Sequence, residues 1–302
     1  MALKDIKAKI AATKRMNTVT RAMEAVSAAK MRKTQEQALA GRPYARAALS
    51  ILTRIAGTEE VKRHPLAHSR PVKRLAIVVI TSDRGLAGAL NSSVLKKASE
   101  ALSDCGIEQV EIYAYGKKGY EHFSRRGYRI AKSYENRSDD VSMSAMEELS
   151  HELTERFLAG EIDKVLAVYS NFRSTFEQIP TMRRLLPLSF PALTEIVEGI
   201  RPAKGKWSNE AMSASPAVYN VESTRDDVLN LLIPRLIAVS FYYMLLEAKA
   251  SEHSARMVAM KNASDKSKER TRDFTRLYNK LRQAAITREV SEIVGGRESL
   301  AT

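Results

Sequence analysis

The sequence predicts an α/β fold in which two long terminal helices form an antiparallel coiled coil that projects from a Rossmann-like α/β domain. Glycine and proline, the weakest helix formers, are nearly absent from both ends of the chain. Residues 3–56 hold one of each, and residues 222–294 hold only Pro234. At 1.5 Å per residue these segments would be about 80 Å and about 110 Å long, which exceeds an ordinary globular domain. The middle of the chain instead alternates strand-like and helix-like segments.

The N-terminal coiled-coil helix is expected over residues 1–56, followed by a linker over residues 57–73. Its large apolar side chains recur at spacings of three and four, with one slip near Thr13, which predicts a narrow seam against a second helix. The predicted seam residues are Leu3, Ile6, Ile10, Met16, Val19, Met23 and Val26. Two terminal helices that pack separately in a bundle remain the alternative.

The α/β domain is expected over residues 74–200, because alternating strands and helices are typical of a largely parallel sheet. The expected strands are Leu75–Thr81, Val110–Tyr115, Tyr128–Ser133 and Lys164–Tyr169, with a further extended piece over Phe176–Leu188. The expected helices are Leu86–Ala101, capped by Asp83, then Lys117–Ser124 and Met143–Leu158.

A second linker, over residues 201–218, leads to the C-terminal coiled-coil helix, which is expected over residues 219–302. Pro234 predicts a kink or a helix start within this segment, because proline has no amide hydrogen. No stretch of the sequence without Asp, Glu, Lys or Arg exceeds 11 residues. A membrane-spanning helix needs about 20 apolar residues, so none is predicted.

The positive charge is concentrated at the two ends. Residues 1–56 hold 12 Lys and Arg against 3 Asp and Glu, and residues 247–302 hold 12 against 8, whereas the formal net charge of the whole chain is +14. Such an imbalance indicates an acidic partner. A nucleic-acid binder is one alternative, but residues 1–56 contain a single aromatic residue, Tyr44, and no DNA- or RNA-binding motif.

An α/β domain also raises the alternative of a small enzyme. The sequence contains no phosphate-binding glycine-rich loop, no dinucleotide fingerprint and no G-x-S-x-G nucleophile motif. The turn over Thr81–Asn91 follows a strand and opens a helix, where anions can bind, but Asp83 puts a carboxylate at the place of the anion. No catalytic, cofactor-binding or metal-binding residue is predicted, and an enzyme would hold its ligand near Asp83.

Four longer motifs together span nearly the whole chain: residues 16–31, 81–91, 250–263 and 278–296. In sequence and in order they resemble the gamma subunit family of F-type ATP synthases. The turn reads Leu-Ala-Gly-Ala where many members have a cysteine and a second glycine. Cys105 is the only cysteine, so the thiol switch of chloroplast members cannot operate.

The resemblance implies a non-catalytic central rotor shaft without a cofactor. It implies that the terminal helices lie inside a ring of three alpha and three beta subunits. It also implies that the α/β domain, the foot of the shaft, contacts the epsilon subunit and the membrane ring of c subunits. Rotation of that ring would drive the three beta sites through different affinities in sequence. Neither a nucleic-acid partner nor a transmembrane segment is expected. Because the N-terminus resembles neither a signal nor a transit peptide, we expect a peripheral protein on the cytoplasmic face of a bacterial membrane.

The resemblance also assigns contact residues. Met23 would lie near the contact loop of the beta subunit, and Arg282, Gln283, Thr287 and Glu289 would engage that loop in the alpha/beta ring. Tyr219 and Glu222 fall where the family's foot meets the membrane ring or the epsilon subunit.

Overall fold

The computed structural model of the chain describes residues 3–40, 64–103, 105–136, 138, 140–188 and 225–300. The chain forms two compact units. The helical unit comprises Met1–Ser27 with Met257–Thr302, and the α/β unit comprises Ala28–Arg256. Two long helices, α1 (Leu3–Ala40) and α5 (Arg225–Leu300), contribute residues to both units. The five predicted domain segments, which divide the chain differently, stay a prediction.

A five-stranded sheet forms the centre of the α/β unit. Its strands are β1 (Leu75–Ile80), β2 (Val110–Tyr115), β3 (Arg129–Tyr134), β4 (Lys164–Ser174) and β5 (Glu177–Leu186). The order is β3-β2-β1-β4-β5, with three parallel pairings and an antiparallel pairing of β4 with β5. The predicted largely parallel sheet is therefore confirmed.

Three shorter helices cover the sheet: α2 (Leu90–Ala101), α3 (Lys117–Ser124) and α4 (Met143–Leu158). All six residues of β1 are buried, as expected of a central parallel strand whose two faces are both covered. On one face the core combines the sheet with α4 and the apolar part of α5, including Phe241 and Leu245. On the other face α2 and α3 pack against the sheet through Val94 and Phe123.

Helix α5 continues through Pro234, so the helix does not start there. The Pro234 carbonyl accepts a hydrogen bond from Ser150 Oγ at 3.1 Å. This bond fastens α5 to α4 at the point where proline removes an intrahelical bond.

The described part of the predicted linker, residues 64–73, is attached to the α/β unit. Leu66 is buried in the core, and its carbonyl accepts from Leu188 N at 2.8 Å. Arg70 Nε lies 2.6 Å from Asp163 Oδ1, and Arg70 Nη2 donates to Phe157 O at 2.6 Å. These contacts give residues 64–73 a structural role that the sequence did not indicate.

In the helical unit α1 and α5 run antiparallel. Asn17 contacts Ser264, and Thr13, one helical turn earlier on α1, contacts Thr271, two turns later on α5. Residue numbers on α5 rise as those of their partners on α1 fall, so the predicted antiparallel pairing is confirmed. No described helix is long and apolar enough to cross a membrane.

Candidate functional site

The carboxyl ends of the strands are where doubly wound α/β proteins bind ligands, at the point where the strand order reverses. In this sheet that point lies between β1 and β4, because the chain leaves β1 for β2 and β3 and returns past β1 to β4. The loops after β1 and β4 flank this point, and the loop after β3 lies at the same edge of the sheet.

Side chains of α5 bond to backbone carbonyls in all three of these loops. The pairs are Arg256 Nη2 with Gly85 O (3.3 Å), Lys249 Nζ with Asn136 O (3.0 Å) and Ser254 Oγ with Thr175 O (2.6 Å). Lys249 Nζ also donates to Ser138 O. The chain's own helix thus lies where a doubly wound enzyme would hold its substrate or cofactor.

Asp83 holds two loops together and does not cap the helix that follows it. Its Oδ1 accepts from Lys117 N at 2.7 Å, and its Oδ2 accepts from Asn136 N at 2.9 Å. Helix α2 begins at Leu90, with Ala89 as its N-cap and no side-chain cap. The prediction that Asp83 caps this helix was wrong, because the carboxylate instead satisfies the amide at the start of α3. An anion at this turn would meet a carboxylate already bound to the backbone.

A carboxylate on α5, that of Glu247, lies against β4 with only partial solvent contact. Asn171 Nδ2 donates to Glu247 Oε2 at 2.9 Å, and the Tyr169 hydroxyl, Arg173 and Arg183 face the same group. Removal from water dominates over the two arginines and raises the pKa of Glu247 from its ordinary 4.5 to about 7.

We expect Glu247→Gln to raise the melting temperature at pH 8 by several degrees and to leave it nearly unchanged at pH 5. Between pH 4.5 and 7 the folded chain retains a proton that the unfolded chain has released, so the wild-type protein loses stability as pH rises through this window. Glutamine stays neutral and avoids this loss. The measurement is thermal unfolding against pH, with the exposed Glu289→Gln as control, and parallel curves for the wild type and Glu247→Gln would contradict the assignment.

The predicted apolar seam of α1 was wrong in its second half. Met16, Val19 and Val26 are exposed by 59%, 57% and 53%. One series of buried and half-buried positions instead recurs without a slip at alternating spacings of three and four, and Ala11, Met23, Ala28 and Ala263 are half-buried beside it. The series consists of Ile6, Ile10, Thr13, Asn17, Thr20, Glu24 and Ser27 on α1, and of Met260, Ser264, Ser267, Thr271, Phe274, Tyr278 and Leu281 on α5.

Hydroxyl and amide side chains thus fill the middle of the seam. Thr20 Oγ1 and Ser27 Oγ donate to carbonyls of their own helix, those of Met16 (2.9 Å) and Met23 (2.7 Å). Their polar groups are satisfied locally, so the side chains can be buried at little cost. The signal that could have revealed this seam is the unbroken heptad spacing that continues from Ile6 through polar residues.

Outside the seam α1 carries an exposed apolar stripe, which consists of Met16, Val19, Met23 and Val26. Met23, the predicted contact residue, is the half-buried member. Each stripe residue precedes a seam residue by one position, so the stripe lies beside the seam on the same helix. Large apolar side chains at this spacing on a solvent-facing surface are typical of a protein–protein contact.

The other predicted ring contacts lie on the exposed end of α5. Every residue from Arg282 to Val294 is exposed. Thr287 Oγ1 donates to Gln283 O at 3.0 Å, which brings two of the four together within one turn. Three apolar side chains, those of Ile286, Val290 and Ile293, are also exposed there, by 51%, 53% and 67%. Tyr219 and Glu222 lie outside the described residues.

Comparison with known proteins matches residues 2–300 to the family described as ATP synthase. An ATP synthase gamma chain from Roseiflexus castenholzii is 39% identical over 302 residues, covering 99% of this chain and 98% of that protein. One from Pelotomaculum thermopropionicum is 38% identical over 298 residues and covers 99% of both. The chain belongs to the ATP synthase gamma chain family. The predicted family is thereby confirmed, and with it the prediction of a non-catalytic central-stalk subunit.

Solved structures share the fold of this gamma chain. A chain of the Euglena gracilis mitochondrial ATP synthase (OSCP/F1/c-ring, rotational state 3) aligns with a TM-score of 0.64 and 18% identity, covering 99% of this chain and 94% of that one. A central stalk/c-ring chain from Tetrahymena thermophila gives 0.60 and 24% identity, covering 82% and 99%. The predicted fold class, a mixed α/β domain with long N- and C-terminal helices, is confirmed.

Family membership gives a reason for the closed crevice of the α/β unit. A gamma chain is a non-catalytic subunit, so its Rossmann-like sheet needs no open crevice for a substrate at its carboxyl edge. Helix α5 can therefore use that edge as a packing surface.

Proposed function

We propose that this gamma chain turns as a shaft inside a ring of three alpha and three beta subunits. In this proposal its α/β unit contacts the epsilon subunit and the membrane ring of c subunits. The protein would work as a peripheral subunit on the cytoplasmic face of a bacterial membrane. Proton flow would turn the ring and the shaft together, and the shaft would drive the three beta sites through their affinities in sequence.

The observation that carries the proposal is the exposed apolar surface of the helical unit. Its two helices pair through a largely polar seam and leave apolar side chains on the outside, both in the stripe of α1 and on the last turns of α5. A shaft that turns within a protein ring needs such a surface, because apolar contacts are not directional and no angle is strongly preferred.

The distribution of charge supports the same proposal. Most of the excess positive charge belongs to the two terminal segments that form this unit. Exposed cations facing acidic surfaces of the ring would form ion pairs that water screens, and such pairs are weak enough to exchange during rotation. Arg282 would contribute to these pairs, Glu289 would pair with a cation of the ring, and Gln283 and Thr287 would offer uncharged hydrogen bonds.

Purification of the tagged chain from its own cells under mild conditions tests the proposal. We expect a large complex with two kinds of nucleotide-binding subunit, and ATPase activity in the complex but none in the chain alone. Recovery of a monomer, or of nucleic acid that high salt removes, would overturn it.

Met23→Lys should impair coupling more than folding. A lysine stem can lie along a helix with its ammonium in water, so the half-buried position tolerates the change. Inside the ring the ammonium must lose water or pair with a carboxylate, and either makes some angles of the shaft much more favourable than others. We expect ATP-driven proton pumping per ATP hydrolysed to fall several-fold in membrane vesicles.

Ala25→Lys is the matched control for this variant. Ala25 is exposed on the same helix turn but points about 200° away from Met23, given 3.6 residues per turn. Pumping should fall less in this variant. Unchanged coupling in Met23→Lys, with a normally assembled complex, would show that the stripe is not a working contact.

A further inference from the structure

The seam and the apolar stripe of α1 compete for the same position against α5. Thr13, Asn17, Thr20, Glu24 and Ser27 face the partner helix, and the stripe residues precede the last four of them by one position each. One residue corresponds to a rotation of about 100° about the helix axis. Over residues 13–27 the hydrophobic effect alone would favour the rotated state, in which the stripe is buried.

Asn17 makes the contact that opposes this rotation. Its Nδ2 donates to Ser264 O at 2.7 Å, to Ser264 Oγ at 3.0 Å and to Ser267 Oγ at 3.1 Å. Thr271 Oγ1 adds a contact to Thr13 Oγ1 at 3.0 Å, one turn away. Thr20 and Ser27 bond within α1 and favour neither orientation.

We propose that Asn17 is a positioning residue that sets the rotation of α1 about its own axis and so keeps the apolar stripe facing outward. An asparagine in the core of a coiled coil is known to select one alignment of its helices at a cost in stability. The Asn17 amide reaches a backbone carbonyl and two hydroxyls of α5, which it could not reach if α1 were rotated. That the outward stripe then meets the alpha/beta ring rests on the proposed function, but the orientation itself does not.

Thiol labelling of the full-length chain in a Cys105→Ser background tests the proposal. One reporter is Val19→Cys, at a position that is 57% exposed, and the other is Thr20→Cys, at a position that is 8% exposed. Adding Asn17→Leu should slow maleimide labelling at position 19 at least fivefold and speed it at position 20 at least fivefold. Thr18→Leu, the same kind of change at an exposed neighbour outside the seam, should leave both rates unchanged.

The direction of the two changes separates positioning from simple stabilisation. If Asn17→Leu speeds labelling at both positions, the residue only holds the helices together, and the proposal is wrong. Unchanged rates at both positions would also overturn it. Asn17→Ala removes the amide without adding volume, and it should likewise slow labelling at position 19 and speed it at position 20. The test therefore holds even if the leucine variant does not fold. No partner subunit is present, so the result is independent of the proposed function.

Discussion

Replacing Gly116 with alanine is expected to unfold the α/β unit under conditions in which the wild-type unit is fully folded. Gly116 joins β2 to α3 with a backbone φ of +102°, which L-residues other than glycine rarely adopt. A Cβ atom built there would lie 2.1 Å from Thr81 O and 2.7 Å from Thr81 C. Both are backbone atoms, so no side-chain rotation relieves the overlap.

The surroundings of Gly116 make a backbone shift costly. Gly116 N donates to Tyr134 O at 2.9 Å, and Thr81 N donates to Tyr115 O at 2.7 Å, so the loops after β1, β2 and β3 are connected at this point. Asn136 Nδ2 donates to Thr81 O at 2.7 Å, the atom that the new Cβ would meet. The strained φ alone costs about 1–3 kcal/mol. With the overlap we expect a loss of about 4 kcal/mol or more, a large part of a typical stability of about 5–15 kcal/mol.

Gly127→Ala is the matched control for this prediction. Gly127 also has a positive φ, +78°, but a Cβ there would have no atom within 4 Å. Its replacement should cost about 1 kcal/mol, which is the conformational cost without the overlap. The measurement is urea unfolding of the full-length chain followed by circular dichroism. Equal losses of stability in Gly116→Ala and Gly127→Ala would show that the overlap with Thr81 does not cause the instability of Gly116→Ala.

The elements of the α/β unit could be predicted because each has a local signal. A run such as Leu75–Ile80, apolar at every position, is typical of a strand covered on both faces, and the sheet buries all six residues. The order of the strands has no such local signal. It depends on which strands pair across the sheet, and no pattern along the chain records that pairing.

The seam of the helical unit could not be predicted from apolar spacing. That spacing places Met16 and Val19 in the interface, whereas the structure places Asn17 and Thr20 there. Apolar periodicity identifies the face that some partner covers, but it does not say whether the partner is the second helix or another protein. If the chain contacts a ring of subunits, as proposed, both faces of α1 are covered in the complex, and the stronger apolar signal belongs to the outer face.

Asp83 shows a similar limit in the α/β unit. A carboxylate a few residues before a helix indicates an N-cap, and the next predicted helix after Asp83 is the one that became α2. In the structure the carboxylate reaches Lys117 N, 34 residues away along the chain, because parallel strands bring the starts of neighbouring helices to one edge. A contact made through the sheet cannot be distinguished by spacing from one made along the chain.

The arginine that ties α5 to the loop after β1, Arg256, is expected to be critical for stability. Arg256 Nη2 lies 2.7 Å from Glu252 Oε1, and the two side chains are only 10% and 9% exposed. Arg256→Ala would leave the Glu252 carboxylate buried without this partner, which costs about 3–5 kcal/mol. The variant should also detach α5 from Gly85 O, whose bond to Arg256 measures 3.3 Å.

The double variant Glu252→Leu/Arg256→Met separates the two contributions. It removes both charges and keeps most of the volume, so it should recover most of the lost stability in urea unfolding. Arg288→Ala is the control, because Arg288 and Glu292 form a pair with the same spacing and the same 2.7 Å distance but with side chains 82% and 63% exposed. The loss of stability in Arg288→Ala should be close to zero, since water screens the pair. If the double variant is as unstable as Arg256→Ala, the bonds to the loop, and not the buried charge, hold α5 against the sheet.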